Sequence, residues 1–196
     1  MTIKRVFSPE VAGALVVLAL IAALLATRRE AAAYRRGAAW AGERAAIGQL
    51  VGRRLPDLAL AAAAGDSVHL RNAGGRYRLI WLLDPVRCPE CLDDVGAWER
   101  MARANGMAAD LVLEGVPPGR AAELAARHRV RARVLADRER RTYPVTRTHV
   151  DAVKLLADPD GFIVLASGER AGCGWAFEEA AIAVRGRVDA SPGGTR

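Results

Sequence analysis

Leu79-Ile80-Trp81-Leu82-Leu83-Asp84-Pro85-Val86-Arg87-Cys88-Pro89-Glu90-Cys91 decides how this chain folds. An apolar run of strand length meets Asp-Pro, then a Cys-Pro-Glu-Cys box, and a helical pattern starts at Leu92. The stretch reads as strand, tight loop and helix, with two thiols at the helix start. A helix N-terminus presents unpaired backbone N–H groups and the positive end of the macrodipole, and both favour a thiolate over a thiol. The thiolate is the nucleophile in disulfide exchange. Cys88 falls at the expected cap and is the candidate attacking thiol. Cys91 lies one turn deeper and can close a disulfide with Cys88. Pro89 limits the loop and suits a first helical turn.

Two other readings of the box compete. A zinc half-site wants a second Cys pair or closely spaced histidines. Cys173, His69, His128 and His149 are each isolated in the chain, so no metal site is expected. Two inert structural cysteines are the other alternative. A dithiol that follows a strand and opens a helix favours redox chemistry over both. Cys173, between glycines, is either a third redox thiol or an incidental cysteine, and an odd cysteine is more often the latter.

At these residues the chain resembles the thioredoxin-like superfamily. More narrowly it resembles the membrane-anchored TlpA/ResA-like and MauD-like thiol–disulfide proteins. The resemblance runs from about residue 52 to 184. It rests on Gly52-Arg53-Arg54-Leu55-Pro56-Asp57-Leu58-Ala59-Leu60, on the strand with its Cys-Pro-Glu-Cys box, and on Asp158-Pro159-Asp160-Gly161 as a late hairpin turn. It implies an α/β fold, a mixed sheet flanked by helices, behind an N-terminal transmembrane helix. It also implies a thiol–disulfide oxidoreductase that needs no cofactor. Its partners would be a client protein with cysteines or a disulfide and a membrane dithiol carrier. Such proteins act outside the cytoplasmic membrane, in cytochrome c maturation or in assembling a disulfide-containing enzyme.

The box has neighbours that pull in opposite directions. Arg87 stabilises a Cys88 thiolate, and Glu90, inside the box, opposes it. The superfamily's buried Asp on the central strand is replaced by Leu82. ResA-like proteins carry an acid three residues after the second Cys, which here is Asp94, beside Asp93. By resemblance Asp94 moves protons to and from Cys91; alternatively Asp93 and Asp94 are first-turn acids that complement the helix dipole. The position of the superfamily's cis-proline falls on Ala152, after Asp151. A non-proline cis bond costs about 3 kcal/mol, so a trans bond is expected there. The lost proline and the missing strand Asp support a second function of a different class, a non-catalytic docking or assembly module. The intact dithiol argues against it.

The remaining chain is read around this centre. With 196 residues, 52% of them hydrophobic, it can hold one ordinary domain and an appendage. The net charge of +7 comes from arginines scattered along the chain, and aromatic residues make up 5%. That composition lacks the interleaved basic and aromatic surface of a nucleic-acid binder. Residues 1–10 form a head with Lys4 and Arg5, and 11–27 an apolar segment read as a membrane anchor. The uncharged run from Val11 to Ala26 would span about 24 Å as a helix, against about 30 Å of hydrocarbon. Phe7 and Thr27 extend it. A cleaved signal peptide is disfavoured by Arg28-Arg29-Glu30 ahead of the small residues. Residues 28–50 read as a helical stalk, 51–187 as the thioredoxin-like domain, and 188–196 as a disordered tail.

Topology divides the arguments. Arg28, Arg29, Arg35 and Arg36 outweigh Lys4 and Arg5, and the positive-inside rule then puts the domain in the cytoplasm. The resemblance puts it in the periplasm, on a single-pass anchor in the inner membrane, and is given more weight. Within the domain, strands are expected at 57–60, 67–70, 78–83, 108–113, 132–135, 152–157 and 162–166. Helices are expected at 89–104, 120–129 and 175–187.

Overall fold

The structure is a computed structural model that describes residues 18, 20–29, 42, 45–71, 75–142, 152–169 and 176–189. The chain forms two compact units, Met1–Gly42 and Glu43–Arg196. In the first, residues 20–29 are helical, with Leu20, Ile21, Leu24 and Leu25 exposed. No helix among the described residues is long and apolar enough to cross a membrane. The head, most of the expected span and stalk, Pro144, His149, Asp151, Cys173 and the end of the tail lie outside the described residues.

The second unit is built on the apolar strand of the opening motif. Strand β3, Arg78–Leu83, is buried at every position. A central strand covered on both faces has no reason to alternate polar and apolar residues, and Leu-Ile-Trp-Leu-Leu does not. It pairs in parallel with β4 (Ala108–Glu114), which pairs in parallel with β5 (Arg133–Asp137). Helix α1, Cys91–Ala104, connects the first pair, and α2, Pro118–Arg127, the second. On the other side β3 pairs antiparallel with β6 (Ala152–Ala157), which turns back into β7 (Ile163–Glu169). Strands β1 (Ala59–Ala62) and β2 (Ser67–His69) form a hairpin that extends the sheet beyond β5. The order is β2-β1-β5-β4-β3-β6-β7, a seven-stranded mixed sheet. Helix α3, Ala176–Asp189, closes the described chain.

Side-chain alternation then selects the functional face. Leu79, Trp81 and Leu83 share one buried cluster with Leu92, Val95 and Trp98 of α1 and Phe177 and Ala181 of α3. On that face Lys154 lies 4.4 Å over the Trp81 ring and pairs with buried Glu178. On the opposite face the Asp110 carboxylate accepts two hydrogen bonds of 2.8 Å from Arg133 and lies 3.3 Å from buried Arg78. Burial lowers the pKa of Arg78, against the pull of Asp110.

Local differences from the sequence reading have physical causes. The strand expected at 57–60 starts at Ala59, because Leu60 and Ala62 are the residues that alternate into the interior. The helix expected from Pro89 starts at Cys91, because the preceding turn closes with i→i+3 bonds to the carbonyls of Cys88, Pro89 and Glu90. Ile47 and Leu50, assigned to the stalk by sequence, are buried. The late hairpin is as read. Asp158 Oδ1 accepts N–H bonds from Asp160 and Phe162, and Gly161 takes φ +85°, where a side chain would be strained.

Candidate active site

Cys88 and Cys91 are joined by a disulfide, with Cα atoms 5.4 Å apart. The pair sits where β3 ends and α1 begins, so the sheet fixes one side of the loop and the helix the other. Asp84, at the strand end, shapes the turn between them. Its carbonyl accepts the N–H groups of Arg87 (3.1 Å) and Cys88 (3.0 Å). Its side-chain Oδ1 accepts the N–H of Val86 at 3.0 Å. The second carboxylate oxygen lies 2.8 Å from Arg140 Nη2. Asp84 is itself buried.

The cap differs from the expectation. The N-cap is Glu90, in helical conformation and without a side-chain cap bond, and Cys91 is the first helical residue. Cys88 therefore precedes the helix. Exposure differs as well. Cys88 is 0% exposed and Cys91 6%, while Val86, Arg87, Pro89 and Glu90 around them are exposed. Both sulfurs belong to the same buried cluster as Ala152, the residue at the cis-proline position. Ala152 opens β6 opposite Leu83. No cis peptide bond occurs among the described residues.

Asp93 and Asp94 occupy the first turn of α1, and both are exposed. Asp93 accepts from or pairs with His128 Nδ1 at 3.1 Å, so a histidine assigned no role by sequence lies against the start of the helix. Among the described residues no hydrogen bond or ion pair joins Asp94 to either cysteine. No group of His, Cys, Asp and Glu side chains among the described residues could hold a metal ion.

The structure adds residues that the sequence reading passed over. Glu114 ends β4 and Asp137 ends β5, so with Asp84 three carboxyl groups line the ends of three adjacent strands. The Thr142 hydroxyl lies 2.5 Å from Glu114 Oε1 and 2.6 Å from Asp137 Oδ2. Asp137 also accepts the N–H groups of Arg141 and Thr142. Gly115, at φ +72°, leaves room for Arg140, since a Cβ there would stand 2.7 Å from its Nη2. Burial is the largest influence on Glu114 and raises its pKa. The Thr142 bond lowers it, Asp137 raises it, Arg140 lowers it and Asp84 raises it. An acid as the last residue of each strand was the available signal, but it acquires meaning only once the strands are neighbours.

No family model matches the chain, and no curated protein matches it. Solved structures do. One, described as thiol:disulfide interchange protein DsbE from Chlorobium tepidum, is 20% identical, with a TM-score of 0.55 over 71% of this chain and 96% of that one. A secreted Mycobacterium tuberculosis disulfide oxidoreductase homologous to Escherichia coli DsbE is 14% identical, with a TM-score of 0.52 over 69% of this chain and 96% of that one. The peroxidoxin BcpB from Mycobacterium tuberculosis is 13% identical, with a TM-score of 0.57 over 70% and 97% of the two chains. At such identities the likeness concerns the fold, which carries more than one chemistry. The fold of this chain is thioredoxin-like.

Proposed function

We propose that the chain is a thiol–disulfide oxidoreductase that exchanges disulfides with client proteins through Cys88 and Cys91. The observation that carries this reading is the closed disulfide at the junction of β3 and α1. In the oxidising direction a client thiolate attacks Cys88 Sγ and the Cys88–Cys91 bond breaks, releasing a Cys91 thiolate. A second client thiolate then attacks the mixed disulfide and releases Cys88, so two electrons pass from client to dithiol. The reducing direction is the reverse. Because Cys88 is 0% exposed, the loop of residues 85–90 must open for either attack. Arg87 and Glu90 bias the Cys88 thiolate in opposite senses, and exposed Asp94 exchanges protons between Cys91 and solvent.

The wider reading is an anchored protein of the TlpA/ResA or MauD kind. It has the anchor in the inner membrane, the soluble domain in the periplasm, and a membrane dithiol carrier as redox partner. The exposed leucines and isoleucine of residues 20–25 support an anchor. Cytochrome c maturation and assembly of a disulfide-containing enzyme are the two settings. Protease added to intact spheroplasts should degrade the domain; protection until lysis would place it in the cytoplasm.

Two observations favour a second reading, a non-catalytic docking module: the burial of both sulfurs, and Ala152 in place of proline. Equilibration with glutathione buffers separates the two. An oxidoreductase gives a reversible Cys88–Cys91 midpoint, reduces insulin, and forms a mixed disulfide with its client when Cys91 is changed to serine. A disulfide that never exchanges in the folded chain leaves only the docking module.

A further inference from the structure

The Thr142 hydroxyl carries a single hydrogen, and it stands within bonding distance of two carboxyl groups. It can donate to one of them. The other contact, at 2.5 or 2.6 Å, is a hydrogen bond only if that carboxyl itself donates. Asp137 is the acceptor of the two. Its oxygens already take the N–H groups of Arg141 at 2.9 Å and Thr142 at 2.7 Å, and an acceptor-only carboxylate suits three donors. The donating partner is then Glu114.

We infer that Glu114 holds a proton at neutral pH, donating it to Thr142, and that this proton sets the charge felt by the Asp84 clamp on the Cys88 loop. The inference rests on the redox reading of Cys88 and Cys91 for its functional half only. Glu114 is a positioning residue, since it acts on the dithiol through other groups. The charged groups that face it are Asp137 at the end of β5, Arg140 in the following turn, and Asp84 at the end of β3. Burial and the two carboxylates all favour the neutral acid, and Arg140 opposes them. Arg140 is already engaged by Asp84, 2.8 Å away, and lies over Gly115 beside Glu114. Ionising Glu114 would make Arg140 divide its charge between Asp84 and Glu114. It would also add negative charge near the loop where a Cys88 thiolate forms. Glu114 and the thiolate therefore disfavour one another, and by linkage each raises the other's pKa.

The test reads both halves on the full-length chain. Glutamate labelled with carbon-13 at the carboxyl reports ionisation. The Glu114 signal is assigned by its loss in Glu114→Gln and followed from about pH 4 to about pH 9. The expected midpoint lies at least about one unit above the ordinary value of 4.5. It should rise by a further half unit or so when the dithiol is reduced by a phosphine and Cys88 ionises. The Cys88–Cys91 potential should change slope with pH at that midpoint, and Glu114→Gln, an isostere of the neutral acid, should remove the break. A midpoint at or below 4.5 overturns the proton assignment. Equal midpoints in the oxidised and reduced chain overturn the coupling and leave the dithiol reading standing. A dithiol inert to glutathione removes the redox reading, while the Glu114 titration of the oxidised chain is still read.

Discussion

Replacing Asp84 by alanine should loosen the loop that carries Cys88, and the structure sets the size of the effect. The Asp84 carboxylate is buried and accepts the Val86 N–H at 3.0 Å. A hydrogen bond to a charged group is worth about 1.5–3 kcal/mol net. The second N–H contact, to Arg87, is long at 3.4 Å, and Arg87 also donates to the Asp84 carbonyl, so its loss adds little. The ion pair with Arg140 is short, but the Arg140 side chain is 47% exposed. Solvent screening reduces its share to about 0.5–1 kcal/mol. Asp84→Ala should therefore cost about 3 kcal/mol, and Asp84→Asn, which keeps an oxygen for Val86, about 1 kcal/mol. Equilibrium urea unfolding of the disulfide form measures both. With a slope of about 2 kcal/mol/M, the alanine variant should unfold about 1.5 M earlier than the parent chain. The freed loop should also exchange faster with glutathione. An alanine variant within about 0.5 kcal/mol of the parent, or an asparagine variant as damaged as the alanine one, would refute the clamp.

Glu114→Gln should change how stability varies with pH. A carboxyl whose folded pKa is raised stabilises most below its unfolded value, here 4.5, and that contribution is lost as pH rises through the folded value. The parent chain should thus lose stability across that window relative to the glutamine variant, as read by urea unfolding at stepped pH. Gly115→Ala should cost about 1–2 kcal/mol, because φ is +72° and the new Cβ meets Arg140, and the Arg140–Asp84 pair should be displaced in its crystal structure. Glu178→Ala leaves Lys154 without its buried carboxylate and should cost about 3–5 kcal/mol, whereas Lys154→Met with Glu178→Leu should cost far less, a difference that thermal unfolding resolves.

The sequence by itself determined what lies within one short window. The apolar run at 78–83 is the observed β3, and Asp158 to Gly161 is the observed hairpin turn. The Cys-Pro-Glu-Cys spacing placed two sulfurs on one tight turn at the start of a helix, which holds with a shift of the cap to Glu90. Each is governed by backbone preferences and periodicity over a few residues, so each is written locally. Only the tertiary structure decided the rest. The exposure of Cys88 depends on what packs over it, and the chain around it gives no sign that it is buried. Thr142 reaches Glu114 from 28 positions away, and Glu99 accepts the N–H groups of Arg131 and Ala132 from more than 30. Asp84, Glu114 and Asp137 become one cluster because parallel pairing of β3, β4 and β5 brings three strand ends side by side. That register comes from burying the alternate faces of all three strands at once, a condition that no single segment contains.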